Sequence, residues 1–145
     1  MEEMPKNYDP STNEPAILQK WLDGGYYKRR EGVGDCTVTI PPPNVTGKLH
    51  MGHATDDSIQ DAIVRMARMR GKSTRWVLGT DHAGIATQTK VDKKLKSEGI
   101  SRLEIGRDKF VDACWDWTHE YGGHIVEQIK RMGCSIDFSD PHFTM

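Results

Sequence analysis

"TIPPPNVTGKLHMGHATDDS", residues 39–58, joins a β-branched strand end to three prolines, a turn and two histidines three apart. Apolar residues at three- and four-residue spacing follow, at Ile59, Ala62, Ile63, Met66 and Met69, and predict a helix over 51–70 closed by Gly71. Upstream, "CTVTI" (36–40) is β-branched and stops at the prolines, so it reads as a strand. Downstream, "STRWVL" (73–78) reads as a second strand and "GTDHAG" as a second turn. A basic helix is expected over "IATQTKVDKKLKSEG", and a longer one over 101–133. The long helix carries the apolar stripe Phe110, Cys114, Trp117, Tyr121, Ile125, Ile129 and Met132, with Gly122-Gly123 as the expected kink or break. Strand, helix, strand, helix is the order of an α/β fold with a parallel crossover.

In such sheets ligands bind beyond the carboxyl ends of the strands. Both unusual turns fall there, and this coincidence is the main physical case for a site. Pro41, Pro42 and Pro43 fix the backbone and give up their N–H groups. They form either a stiff apolar wall suited to a small aliphatic group or a plain strand exit. His50 and His53 share one face at a helix start, where backbone N–H groups and the helix dipole favour an anion. They are polyphosphate donors, simple helix caps, or less readily a metal pair, since helical zinc pairs favour i, i+4. Gly52 between them leaves room for a flat ring. Asp81 either holds an ammonium group or caps the next helix. Thr80 and His82 line the same turn and carry the same ambiguity.

The bulk properties are consistent with this picture. The chain has 145 residues, enough for one core, and a net charge of −1, so no overall basic field draws it to nucleic acid. No apolar run is long enough to span a membrane, and "MEEMPKNYDP" lacks the features of a signal peptide. Cys36, Cys114 and Cys134 lie far apart and read as reduced thiols of a cytoplasmic protein. Residues 1–13 read as a polar arm, followed by a short helix in "EPAILQKWLDGG" with Ile17, Leu18, Trp21 and Leu22 on one face. The tail "CSIDFSDPHFTM" reads as loop. Three basic clusters stand out: Lys28, Arg29 and Arg30; Arg65, Arg68, Arg70, Lys72 and Arg75; and Lys90, Lys93, Lys94 and Lys96. Charge runs of this kind usually mark a solvated face, with contact to an RNA as the alternative.

"LHMGH" (49–53) resembles the HIGH signature of the class I aminoacyl-tRNA synthetases. "PPPNVTGKLHMGHA" followed by "GTDHAGIATQ" resembles their valyl branch, and the similarity runs over nearly the whole chain. The resemblance implies an α/β fold, the first half of a class I synthetase Rossmann-type parallel sheet with flanking helices. It divides the chain into an amino-terminal arm and short helix (1–35), the half-sheet with the HIGH motif (36–133) and the start of the editing-domain insertion (134–145). Valine and ATP, the latter with Mg2+, are the implied substrates, and tRNA(Val) the implied partner of the full-length enzyme; no metal site is expected within these residues, and no membrane. His50 and His53 would contact the ATP phosphates and stabilise the transition state, and Gly52 would lie against adenine. Pro41 and Pro42 would help form the valine side-chain pocket, Asn44 would support this wall, and Asp81 would hold the α-ammonium. Leu78 stands where the family carries a proline.

No KMSKS-like string occurs in the sequence, so the resemblance implies an amino-terminal part that alone activates valine weakly or not at all. A half-sheet would leave an edge and an apolar face open, and self-association is expected. The alternative is a free-standing module that binds valine, ATP or RNA without catalysis.

Overall fold

The computed structural model describes residues 6–144. Helix α1 (Pro10–Asp23) begins earlier than its periodicity suggests, so the polar arm is shorter than 1–13; residues 1–5 lie outside the described residues. The cause is local: the Asp9 carboxylate accepts from the Ser11 backbone N–H at 3.0 Å, and Pro10 occupies the first helical position, where its missing N–H costs nothing. Strand β1 (Asp35–Thr39) pairs in parallel with β2 (Ser73–Val77), with Cys36 opposite Thr74 and Thr39 opposite Val77. Helix α2 (Met51–Met69) makes the crossover between them and packs on both.

The run continues past β2 into β3 (Gly79–Thr80), which pairs in parallel with β4 (His142–Phe143). The tail therefore contributes a strand where the sequence reads as loop. Val77 O accepts from Ile40 N and Leu78 O from His142 N. Successive carbonyls of an extended chain point in opposite directions, so β1 and β4 flank the 73–80 segment on opposite edges. That central position explains the burial of Trp76 and Leu78, and Leu78 uses its carbonyl to hold β4.

Helices α3 (Gly84–Ser97) and α4 (Arg102–Arg131) pack together. The break in α4 lies at Gly106 (φ 79°, ψ 172°), a conformation open to glycine; Gly122 and Gly123 stay helical, which corrects the expected kink. From α4, Ile125 and Ile129 enter the core formed by Ile40, Val45, Val64, Trp76, Leu78, Cys134 and Ile136.

Helix α2 presents a different face to this core from the one its apolar spacing indicates. Val64, Ala67 and Asp57 are buried, while Ile59, Ile63, Met66 and Met69 are exposed. Two polar demands orient it. The buried Trp76 indole needs an acceptor and finds Gln60 Oε1 at 3.0 Å. Asp61 Oδ1 accepts from the Ser135 backbone N–H at 2.9 Å and from its hydroxyl. On the same side, Arg68 donates to Ser135 Oγ, Ser135 O and Tyr27 O, and Arg65 donates to Asp61 and Gly133 O. Two residues of the second basic cluster thus fasten the 133–136 turn and the Tyr27 segment to α2. Arg29 and Arg75 are likewise engaged, with Ser73 and Asp35 and with Asp140.

Candidate functional site

The proline elbow leaves β1 and passes over the end of the central strand. Asn44 and Asp81 form a parallel bridge: Asp81 N–H donates to Pro43 O (2.9 Å) and Val45 N–H to Asp81 O (3.1 Å). The two turns read separately in the sequence are therefore stitched together by backbone. Val45 is fully buried and anchors the loop, and its carbonyl accepts from the Trp117 indole at 2.8 Å. Leu49 N–H donates to Gln128 Oε1. With Pro43 and Val45 turned inward, Pro41, Pro42 and Asn44 stay exposed.

These three residues line one cleft with His50 and His53, of about 390 Å³, to which Thr46 and Lys48 also contribute. Lys48 adds a cation to this cleft, and nothing in its local sequence pattern singled it out.

The histidine pair caps the helix, and the cap leaves each ring one nitrogen free of it. His50 is the N-cap of α2. Its Nδ1 accepts from Gly52 N–H at 3.1 Å, and His53 Nδ1 accepts from His50 N–H at 3.2 Å. An imidazole nitrogen that accepts carries no proton, so each neutral ring bears its proton on Nε2. Both rings thus keep an N–H donor free of the cap, at a helix end that itself favours an anion. The rings lie 4.0 Å apart between centroids. Burial, and then the neighbouring His50, lower the pKa of His53, which favours the neutral donor form. The space over Gly52 is occupied by His50: a Cβ at 52 would stand 2.9 Å from His50 Cε1.

The Asp81 side chain turns toward the opposite edge, to β4. Its Oδ1 accepts from the Thr144 hydroxyl at 2.6 Å, and this bond chiefly holds its carboxyl below the usual range. His82 contacts the same hydroxyl. Ala83, the N-cap of α3, has a left-handed backbone (φ 45°, ψ 49°), which costs a residue with a Cβ about 1–2 kcal/mol. Thr80 is half-buried in β3. A second cleft of about 430 Å³ opens beside His82, between α3, α4 and β4.

Among the described residues, no three His, Cys, Asp or Glu side chains converge as a metal site, and no helix is long and apolar enough to cross a membrane. The three cysteines are unpaired, and burial pushes the Cys134 thiol up to about 12.

Two parallel strands joined by a histidine-capped crossover helix, with a proline elbow at the strand end, define an α/β class of fold. The family of tRNA synthetases class I (I, L, M and V) matches residues 16–145, and the chain belongs to that family. It is 50% identical over 144 residues to the valine–tRNA ligase of Enterococcus faecalis V583, covering 98% of this chain and 16% of that protein. It is 49% identical over 145 residues to the valine–tRNA ligase of Lactiplantibacillus plantarum WCFS1, with 99% and 16% covered. The chain thus spans about a sixth of the length of these relatives. Its fold matches a LeuRS from Agrobacterium radiobacter K84, solved as a ternary complex with tRNA and LeuAMS, at a TM-score of 0.74 and 19% identity, over 95% of this chain and 16% of that one.

Proposed function

We propose that the chain is the amino-terminal part of the catalytic domain of a valine–tRNA ligase, which activates valine with ATP and transfers it to tRNA(Val). The observation that carries this is the reciprocal cap of His50 and His53, which leaves two Nε2–H donors on the cleft lined by Pro41, Pro42 and Asn44.

The chemistry follows from that arrangement. A carboxylate oxygen of valine attacks the α-phosphorus of ATP, the bond to the bridging oxygen breaks, and pyrophosphate leaves with the electron pair. In the second step, a ribose hydroxyl at the tRNA 3′ end attacks the valyl carbonyl and AMP leaves. The first step needs positioning and charge stabilisation rather than covalent help. His50, His53 and the α2 N-terminus stabilise charge on the phosphate oxygens. Adenine would lie against Gly52 only with the His50 ring, which covers that position, swung aside. Pro41 and Pro42 form the apolar wall, Asn44 supports it, and Asp81 takes the α-ammonium. ATP arrives with Mg2+ on its phosphates. An apolar pocket of this kind rejects threonine by only about 10²-fold, a figure known for the valine enzyme itself.

The arm and short helix precede the half-sheet with a boundary at 35/36, and the residues after 133 join that half-sheet through Cys134, Ile136 and β4 rather than beginning a separate segment. In isolation, the chain carries too few of the preorganised charges for more than very weak activation.

The test is a chimera in which this chain replaces the matching residues of the Enterococcus faecalis enzyme. Valine-dependent ATP–pyrophosphate exchange is expected, falling about 10²–10³-fold on His53→Ala. A chimera that folds but exchanges no better with valine than with isoleucine or leucine overturns the proposal.

A further inference from the structure

One hydroxyl just past β4 holds the Asp81 turn together. Thr144 Oγ1 lies 2.6 Å from Asp81 Oδ1, 3.0 Å from the His82 backbone nitrogen and 2.7 Å from His82 Nδ1. Thr144 is brought there by strand pairing: its N–H donates to Thr80 O, next to the Gly79–His142 and Thr80–Phe143 pairs.

A hydroxyl has one proton to give and two lone pairs with which to accept. An ionised carboxylate only accepts, so the Thr144 proton goes to Asp81. The His82 backbone N–H takes one lone pair. The remaining contact, with His82 Nδ1, is then a hydrogen bond only if that nitrogen carries the proton. The hydroxyl is saturated, and the neutral His82 ring has its lone pair on Nε2. This is the opposite tautomer to those of His50 and His53. No Cβ stands over the ring at position 84, where one would sit 3.5 Å from His82 Nε2, and His82 lines the open 430 Å³ cleft.

We propose that Thr144 is a positioning residue for the amino-acid site: its hydroxyl fixes the Asp81 carboxylate as the ammonium acceptor, and the same set of contacts sets the His82 tautomer. The inference rests on the proposed role of Asp81 as the ammonium ligand. It assigns the tail after α4 an indirect part in amino-acid binding, made by a residue 63 positions from the aspartate it orders.

Two measurements test it. Nitrogen-15 NMR of the histidine-labelled 145-residue chain, about two pH units above the ordinary histidine pKa, should show His82 protonated at Nδ1. Thr144→Val should move that proton to Nε2, and Thr144→Ser should restore it. In the chimera, Thr144→Val should raise the valine KM about tenfold, the weight of about one hydrogen bond, with kcat changed much less and Thr144→Ser near the parent. A wild-type His82 protonated at Nε2 overturns the proposal, as does a Thr144→Val variant that shifts neither tautomer nor KM. Asp81→Asn separates the two claims. If it raises the valine KM while Thr144→Val does not, the role of Thr144 falls alone. If Asp81→Asn leaves KM unchanged, the ammonium role of Asp81 falls and the proposal with it.

Discussion

Asp57 stands on the core face of α2, 3% exposed, with Oδ2 lacking any hydrogen-bond partner. Burial, reinforced by the neighbouring Asp56, raises its pKa from 3.8 to about 6. The folded state therefore binds this proton more tightly than the unfolded chain does. The carboxyl costs least below its unfolded value of 3.8; the cost grows as pH rises and is complete above about 6. A tenfold change in proton affinity is worth about 1.4 kcal/mol, so the full displacement corresponds to about 3 kcal/mol at most. Only one of the two oxygens is sealed without a partner, which brings the expected effect to about 1–2 kcal/mol. Asp57→Asn keeps the shape and removes the charge, and should stabilise the chain by that amount at about pH 8, well above the folded-state pKa. The gain should shrink toward zero as pH falls toward the unfolded-state value. Urea unfolding of both proteins across this range measures it. A variant no more stable than the parent at the alkaline end, or a gain independent of pH, would refute the assignment of Asp57 as a buried, uncompensated charge.

Gly52→Ala should drive the His50 ring off the helix end and break its bond from Gly52 N–H. A loss of about 1 kcal/mol in thermal or urea unfolding is expected, with faster amide exchange in the first turn of α2. Arg68→Ala removes three hydrogen bonds that join α2 to Ser135 and Tyr27, and should cost about 2–4 kcal/mol and open the 133–136 turn to limited proteolysis. Ile59, Ile63 and Met66 form an exposed apolar stripe on the outer face of α2, and the isolated chain is expected to self-associate through it. Replacing Ile63 and Met66 with lysine should shift sedimentation toward monomer with little change in unfolding midpoint; unaltered association would place the contact elsewhere.

Local signals in the sequence were enough for the parallel crossover. The β-branched runs, the proline stop at 41–43 and the glycine at 71 bound β1, α2 and β2 with little help from the rest of the chain. The two turns at the strand ends were legible for the same reason, and so was the pairing of His50 with His53, because i, i+3 positions share a helix face whatever surrounds them. What the histidines do with their nitrogens was not legible, since a tautomer follows from the partner of the other nitrogen, here two backbone N–H groups. The kink at Gly106 rather than Gly122 was equally beyond reach, because a glycine tolerates both conformations and its surroundings select one.

The orientation of α2 belonged to the tertiary structure. Apolar residues occupy two sides of that helix, so periodicity alone cannot choose between them. The choice falls to Gln60 satisfying Trp76 and to Asp61 and Arg68 satisfying Ser135, contacts between residues 16 to 74 positions apart. The same holds for β4 and Thr144. A two-residue strand carries almost no periodic signal, and its place is decided by the open edge of the central strand at Leu78 and Thr80. The sequence by itself thus determined the β1–α2–β2 crossover, the two turns at its strand ends and the family, since each is written in neighbouring residues. Which faces are buried, which nitrogens carry protons and which distant hydroxyl orders Asp81 depend on groups that meet only when the chain is folded.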